Sequence, residues 1–170
     1  MNNKNVFLIL SLALPLGALA ASPSKDTDTD FATKAAQAGM AEVATGQLAA
    51  NQGSDARIKQ FGQQMVTDHG KANDELKAIA QKDAVMLPKE SSKAQQDAAT
   101  KLGQAQGKEF DMQYAQMAVK DHEEAVALFK KEADSGKEAD MQAFARKTLP
   151  TLQQHLKMAQ ELSAATPRKK

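Results

Sequence analysis

The histidines of this chain are His69, His122 and His155, and two of them stand in near-identical surroundings. Residues 66–72 read "VTDHGKA" and residues 119–125 read "VKDHEEA". An imidazole next to a carboxylate can ligate a metal or hold a proton, according to what faces it. Met65 lies four residues before His69 and Met158 three after His155, so each pair is adjacent on a helix surface. Thioether with imidazole suits copper, although filling gaps in a core is the commoner use of methionine. Nothing resembles an activated nucleophile: there is no cysteine and no Gly-x-Ser-x-Gly. No Gly-rich loop follows a strand, so nucleotide binding is equally unsupported.

Composition narrows the setting. Residues 1–20 read as a signal peptide, with "MNNKN" as a polar n-region, an apolar run, and Ala18-Leu19-Ala20 for cleavage after Ala20 or Ala21. The apolar run is short and broken by Pro15 and Gly17, so it makes a poor membrane span. A periplasmic location follows, with no integral span in the mature chain. Loss of Lys4 takes the formal charge from +1 to neutral, which leaves no electrostatic footprint for nucleic acid. A homodimer or an envelope partner is compatible with this composition, and nothing in it selects either.

The elements that must position the histidines are helices. Ala, Gln, Lys, Glu, Leu and Met dominate, and no segment alternates with period two. After a polar leader expected to be flexible (21–30), amphipathic segments run over about 31–51, 54–83, 107–134 and 138–163. Asp30 and Ser54 are the expected caps of the first two. Residues 85–107 form a connector with a short helix near 91–102. Pro150 is expected to kink or restart the last helix. The bundle spans 31–164 and a basic tail 165–170. Lysine-rich faces read as solvated, with Glu132 beside Lys130 and Lys131.

Each long helix carries a strongly polar group on its inward face: Glu42, His69, Asp121 with His122 to one flank, and His155. If the second and third long helices run parallel from a turn at residue 53, His69 stands at about 24 Å and His122 at about 22 Å. Glu42 then stands at about 16 Å and His155 at about 14 Å. The groups pair on two levels roughly 8 Å apart.

The motifs Ala36-x-x-Gly39-x-x-Glu42-Val43, Met65-Val66-x-Asp68-His69, Gly107-x-x-Phe110-Asp111-x-x-Tyr114, Asp121-His122 and Leu149-Pro150-x-Leu152-x-x-His155 span nearly the whole mature chain. In order and spacing they resemble the bacterial domain-of-unknown-function family 4142, whose members are often labelled "predicted outer membrane protein". The resemblance implies a ferritin-like four-helix bundle, here an all-α fold of two antiparallel hairpins with a long crossover. It brings no activity. The label finds no support in amphipathic strands or a lipobox cysteine.

Two functional readings remain. In the first, the bundle binds Zn, Fe, Mn or Cu through Glu42, His69, Asp121, His122 and His155, in a role in stress or envelope homeostasis. The Glu-x-x-His signature of a di-iron centre is missing, because Val66, Val119 and Leu152 precede the histidines by three, so a ferroxidase is not expected, and a metal-dependent oxidase would need an open coordination position. In the second reading the inward groups form a hydrogen-bond network in a structural or interaction module.

Overall fold

The computed structural model describes residues 23–166. Five helices follow one another: α1 (Pro23–Gln52), α2 (Ala56–Lys82), α3 (Lys93–Gln104), α4 (Gly107–Ser135) and α5 (Ala139–Ala165). The signal peptide, the start of the leader and residues 167–170 of the tail lie outside the described residues. α1 packs on α2 and α4 on α5 as two hairpins, closed into a bundle by α1 against α4 and α2 against α5. The crossover runs through α3, which lies on α1 and α4. A capping box of Ser92 and Gln95 starts that helix.

Polar contacts fix the direction of each helix. Asp111, at the start of α4, accepts from the backbone N–H of Ser54 (2.8 Å) and of Asp55 (2.9 Å), and from the Ser54 hydroxyl. At the other end, Lys82 pairs with Asp140. α2 and α4 therefore run parallel, as the level argument required.

Asp111 has a counterpart. Asp28 on α1 accepts from the N–H of Lys137 (3.1 Å) and of Glu138 (2.6 Å), at the turn into α5. Each hairpin thus clamps the turn of the other with a buried carboxylate, satisfying N–H groups that a helix start leaves unpaired. The same contact accompanies helix over residues 23–30, where a flexible leader was expected. These residues are the first turns of α1, and Asp28 is 2 % exposed. Asp30 is accordingly no cap but sits within α1, paired with Lys34 (2.7 Å). Asp55 rather than Ser54 caps α2, accepting from Arg57 N–H.

Glu132 is buried against this clamp instead of lying on a solvated face beside Lys130 and Lys131; Lys130 pairs with Asp134. Burial, then the charge of Asp28 and a hydrogen bond with it, push the Glu132 carboxyl up to about 7. A raised folded-state value means stability that is fully present below the ordinary 4.5 and lost as pH rises through about 7. Glu132→Gln keeps a donor for Asp28 and cannot ionise. Thermal melts should show the variant matching the parent near pH 5 and exceeding it near pH 9; equal melting temperatures at both would refute the coupling.

α5 continues through the exposed Pro150, which does not restart it. The core falls into two apolar clusters. One gathers Phe31, Leu76, Phe129, Met141, Phe144 and Leu152. The other gathers Ile58, Phe61, Met65, Leu102, Phe110, Tyr114 and Leu162. On each of α1, α2, α4 and α5 a buried ionisable residue lies in sequence between the two clusters: Glu42, His69, His122 and His155. They form a single polar layer.

Candidate metal centre

The polar layer is built where the helices approach closely. A Cβ on Gly46 would lie 2.9 Å from the carbonyl of Gly62, and one on Gly39 would lie 2.0 Å from the Asn73 side chain. These contacts centre the α1–α2 turn at residues 54 to 56 instead of 53. Moving a turn centre by one residue shifts its two helices by about 3 Å relative to each other. One to three residues therefore close most of the expected gap of roughly 8 Å between levels. The second turn likewise falls later than residue 136, since α5 starts at Ala139.

The three imidazoles converge. One ring nitrogen from each of His69, His122 and His155 lies within 4.8 Å of the others. Ring centroids are 5.4 Å apart for His69–His122 and 5.5 Å for each of the other two pairs. His69 Nε2 and His122 Nε2 are 3.4 Å apart. Nitrogens bound to one ion at about 2.0–2.1 Å in a tetrahedron stand about 3.3–3.4 Å from each other, so this pair already has the spacing of two ligands.

Neighbouring acceptors decide which nitrogens are free. His122 Nδ1 lies 2.8 Å from the carbonyl of Ala118, which can only accept, so Nδ1 carries the hydrogen and Nε2 keeps its lone pair. His155 Nε2 lies 3.1 Å from Asp68 Oδ2 and donates to it, leaving the lone pair on Nδ1. That Nδ1 is buried without a hydrogen-bond partner. A carboxylate or carbonyl behind an imidazole is the usual outer support of a metal-ligating histidine.

Burial first, then the mutual proximity of the rings, pushes His69 down to about 3. Burial pushes His122 down to about 4 against the Ala118 hydrogen bond, and lowers His155 against the opposing pull of Asp68. All three rings are neutral near pH 7, the protonation state that ligation requires. Glu42 goes the other way: burial, then the charge of Asp121, raises its carboxyl to about 8.

Of the five residues expected to ligate, the histidines meet and the carboxylates do not. Glu42 Oε1 is 3.6 Å from His122 Nδ1, on the side of the ring away from Nε2. It faces the Nδ1 edge of His122 and lies outside the cluster of three ring nitrogens. Asp121 is half-buried on a cavity wall, whereas His122 is fully buried, the reverse of the expected phase. The inward stripe of α4 follows Ala115, Ala118, His122, Ala125 and Phe129. Small alanines weigh little in a hydropathy pattern, and a stripe spaced three and four drifts about 20° per heptad against a straight helix. Met65 is in one apolar cluster and Met158 packs against it, so neither joins the layer.

Sequence reasoning missed Asp68, which it left at the helix edge, and Tyr114, whose buried hydroxyl has no partner and feels the charge of Glu42. The Asp-His dipeptide was the available signal for Asp68. It could not show that Asp68 serves the histidine of another helix.

The model of the domain of unknown function DUF4142 matches residues 13–162. The chain belongs to this family. A DUF305 protein from Streptomyces coelicolor, described as secreted, shares the fold with a TM-score of 0.70 at 16% identity, over 85% of this chain and 96% of that one. A comparison with curated proteins found no match. Among the described residues of this DUF4142 chain, no helix is long and apolar enough to cross a membrane.

Proposed function

We propose that this chain is an exported, periplasmic helical bundle that binds one transition-metal ion through His69, His122 and His155. The observation that carries the reading is the pair of outer supports. Ala118 and Asp68 each take the hydrogen of an imidazole and free its other nitrogen, and His155 Nδ1 is then left buried without a partner. Buried polar atoms in native proteins are nearly always satisfied, so an unpartnered imidazole lone pair in a cluster of three imidazoles supports a ligand there. Asp68 supports His155 from behind, and Glu42 stands 3.6 Å from His122 Nδ1, where a bound ion would favour its ionised form. All-nitrogen ligation by neutral imidazole suits Zn, Cu, Fe or Mn, with affinity rising towards copper. Two hairpins joined by one long crossover support the ferritin-like reading, and bundle cores of that kind house metals. A role in stress or envelope homeostasis accords with export.

The competing reading, a hydrogen-bond network without metal, rests on the same 3.4 Å contact between His69 and His122, where one ring can donate to the other. Metal analysis separates the two. Protein purified from the periplasm without an affinity tag should carry close to one equivalent of metal. Apoprotein should take up one equivalent of zinc or copper in calorimetry. Substoichiometric metal together with no heat of binding would leave the network reading standing. Within the metal reading, Asp68→Ala should weaken binding by about 10–100-fold while stoichiometry is kept, since it removes a support and no ligand.

A further inference from the structure

A cavity of about 360 Å³ opens beside the triad, bordered by His69, His122, Glu42 and Asp121. Its deeper wall is apolar, with Leu76, Ala125, Phe129, Phe144 and Leu152. Towards α3 its rim carries Ser92 and Gln95. The volume falls within the range of small-molecule sites, which are typically apolar with a few placed polar groups.

Three protein ligands and two carboxylates standing behind them describe a site that is open, because structural zinc sites fill all four positions with protein donors. The cavity borders two of the three imidazoles, which makes it the space from which a fourth ligand would reach the ion. A divalent ion held by three neutral imidazoles takes no charge from its ligands, and Asp68 and Glu42 offset it only from behind the rings. The ligand favoured there has an anionic head to meet that charge and an apolar body to meet the phenylalanine and leucine wall.

We infer that this cavity is a binding pocket for a small carboxylate with a compact apolar body, its head on the metal's free position and its body against Phe129, Phe144 and Leu152. The inference rests on the metal reading above. It goes further in making the centre a ligand-binding one.

Cobalt(II) provides the test, because its visible bands report on coordination. Apoprotein is loaded with one equivalent of cobalt and titrated separately with benzoate, hexanoate and azide. The pocket predicts saturable band shifts with benzoate or hexanoate at concentrations at least tenfold below those needed with azide, which has no apolar body. Ala38→Phe and Thr148→Phe fill the cavity from half-buried wall positions. Each should keep the cobalt spectrum and lose the carboxylate response at least tenfold. If cobalt binds and its bands ignore all three anions, the site is closed and the inference fails while the metal reading survives. If azide binds and the carboxylates do not, the position is open but the cavity is no pocket for them, and the inference again fails. If cobalt does not bind, the metal reading falls and takes the inference with it.

Discussion

Replacing His155 with alanine should remove the metal-dependent part of this protein's stability while the protein stays folded. An ion that binds only the folded state at one hundred times its Kd contributes about 2.7 kcal/mol, which for a domain of this size is a shift in Tm of about 5–10 °C. The parent should show that shift on adding zinc. The variant should show none, because two imidazoles remain and the ligand that Asp68 orients is gone. His69→Ala should behave alike. The apoproteins also differ from the parent, since truncating a buried side chain costs stability whatever its role. For that reason the decisive quantity is the difference between loaded and metal-free protein for each variant. A His155→Ala protein that keeps the parent's full zinc shift would show that the ion lies elsewhere.

The metal-free protein should lose stability towards both acid and alkaline pH, with limbs of different origin. On the acid side, His69 and His122 have folded-state values of about 3 and 4 against an ordinary 6.5, with burial the first cause. A depressed value means stability fully present above 6.5 and lost as pH falls, because the unfolded chain binds protons that the folded one refuses. Each such ring contributes a slope of up to about 1.4 kcal/mol per pH unit. On the alkaline side, Glu42 has a raised value of about 8 against 4.5. Its contribution is fully present below 4.5 and is lost as pH rises through about 8. Between the two ordinary values the imidazoles are opposed by the raised carboxyls of Glu42, Asp121 and Glu132, so the profile there is shallow. Urea unfolding at a series of pH values measures the profile. Glu42→Gln should flatten the alkaline limb and leave the acid one. Bound zinc should flatten it too, by favouring the ionised carboxylate behind His122. If the Glu42→Gln profile overlays that of the parent, the buried carboxyl is not the source of that limb.

The paired Asp-His motifs show how far local pattern reaches. "VTDHGKA" and "VKDHEEA" look equivalent, and both histidines do enter the core. The aspartates differ: Asp68 reaches across to His155, whereas Asp121 lines a cavity. Phase along a single helix cannot separate these outcomes, since a rotation of a few tens of degrees exchanges neighbouring residues at an edge. α4 is the instance, where alanines define the buried stripe and place His122 inside in preference to Asp121.

Periodicity and composition were enough for the helices, the long connector and the inward setting of Glu42, His69 and His155, while the pairing into two hairpins came with the family resemblance. The helices and their inward faces follow from local propensity and from a repeat that each segment carries in itself. Contacts between distant segments decided the rest. Asp28 was read as part of a flexible leader, because its partners are N–H groups more than a hundred residues away. The two expected levels became one layer because glycines let α1 and α2 approach in a particular register. Which nitrogen of His122 and of His155 is free depends on Ala118 and on Asp68, an acceptor one turn back on the same helix and a carboxylate on another. A sequence determines which faces are apolar. How two faces slide and turn against each other is settled by side-chain packing across the interface, and the chemistry of this layer depends on that fit.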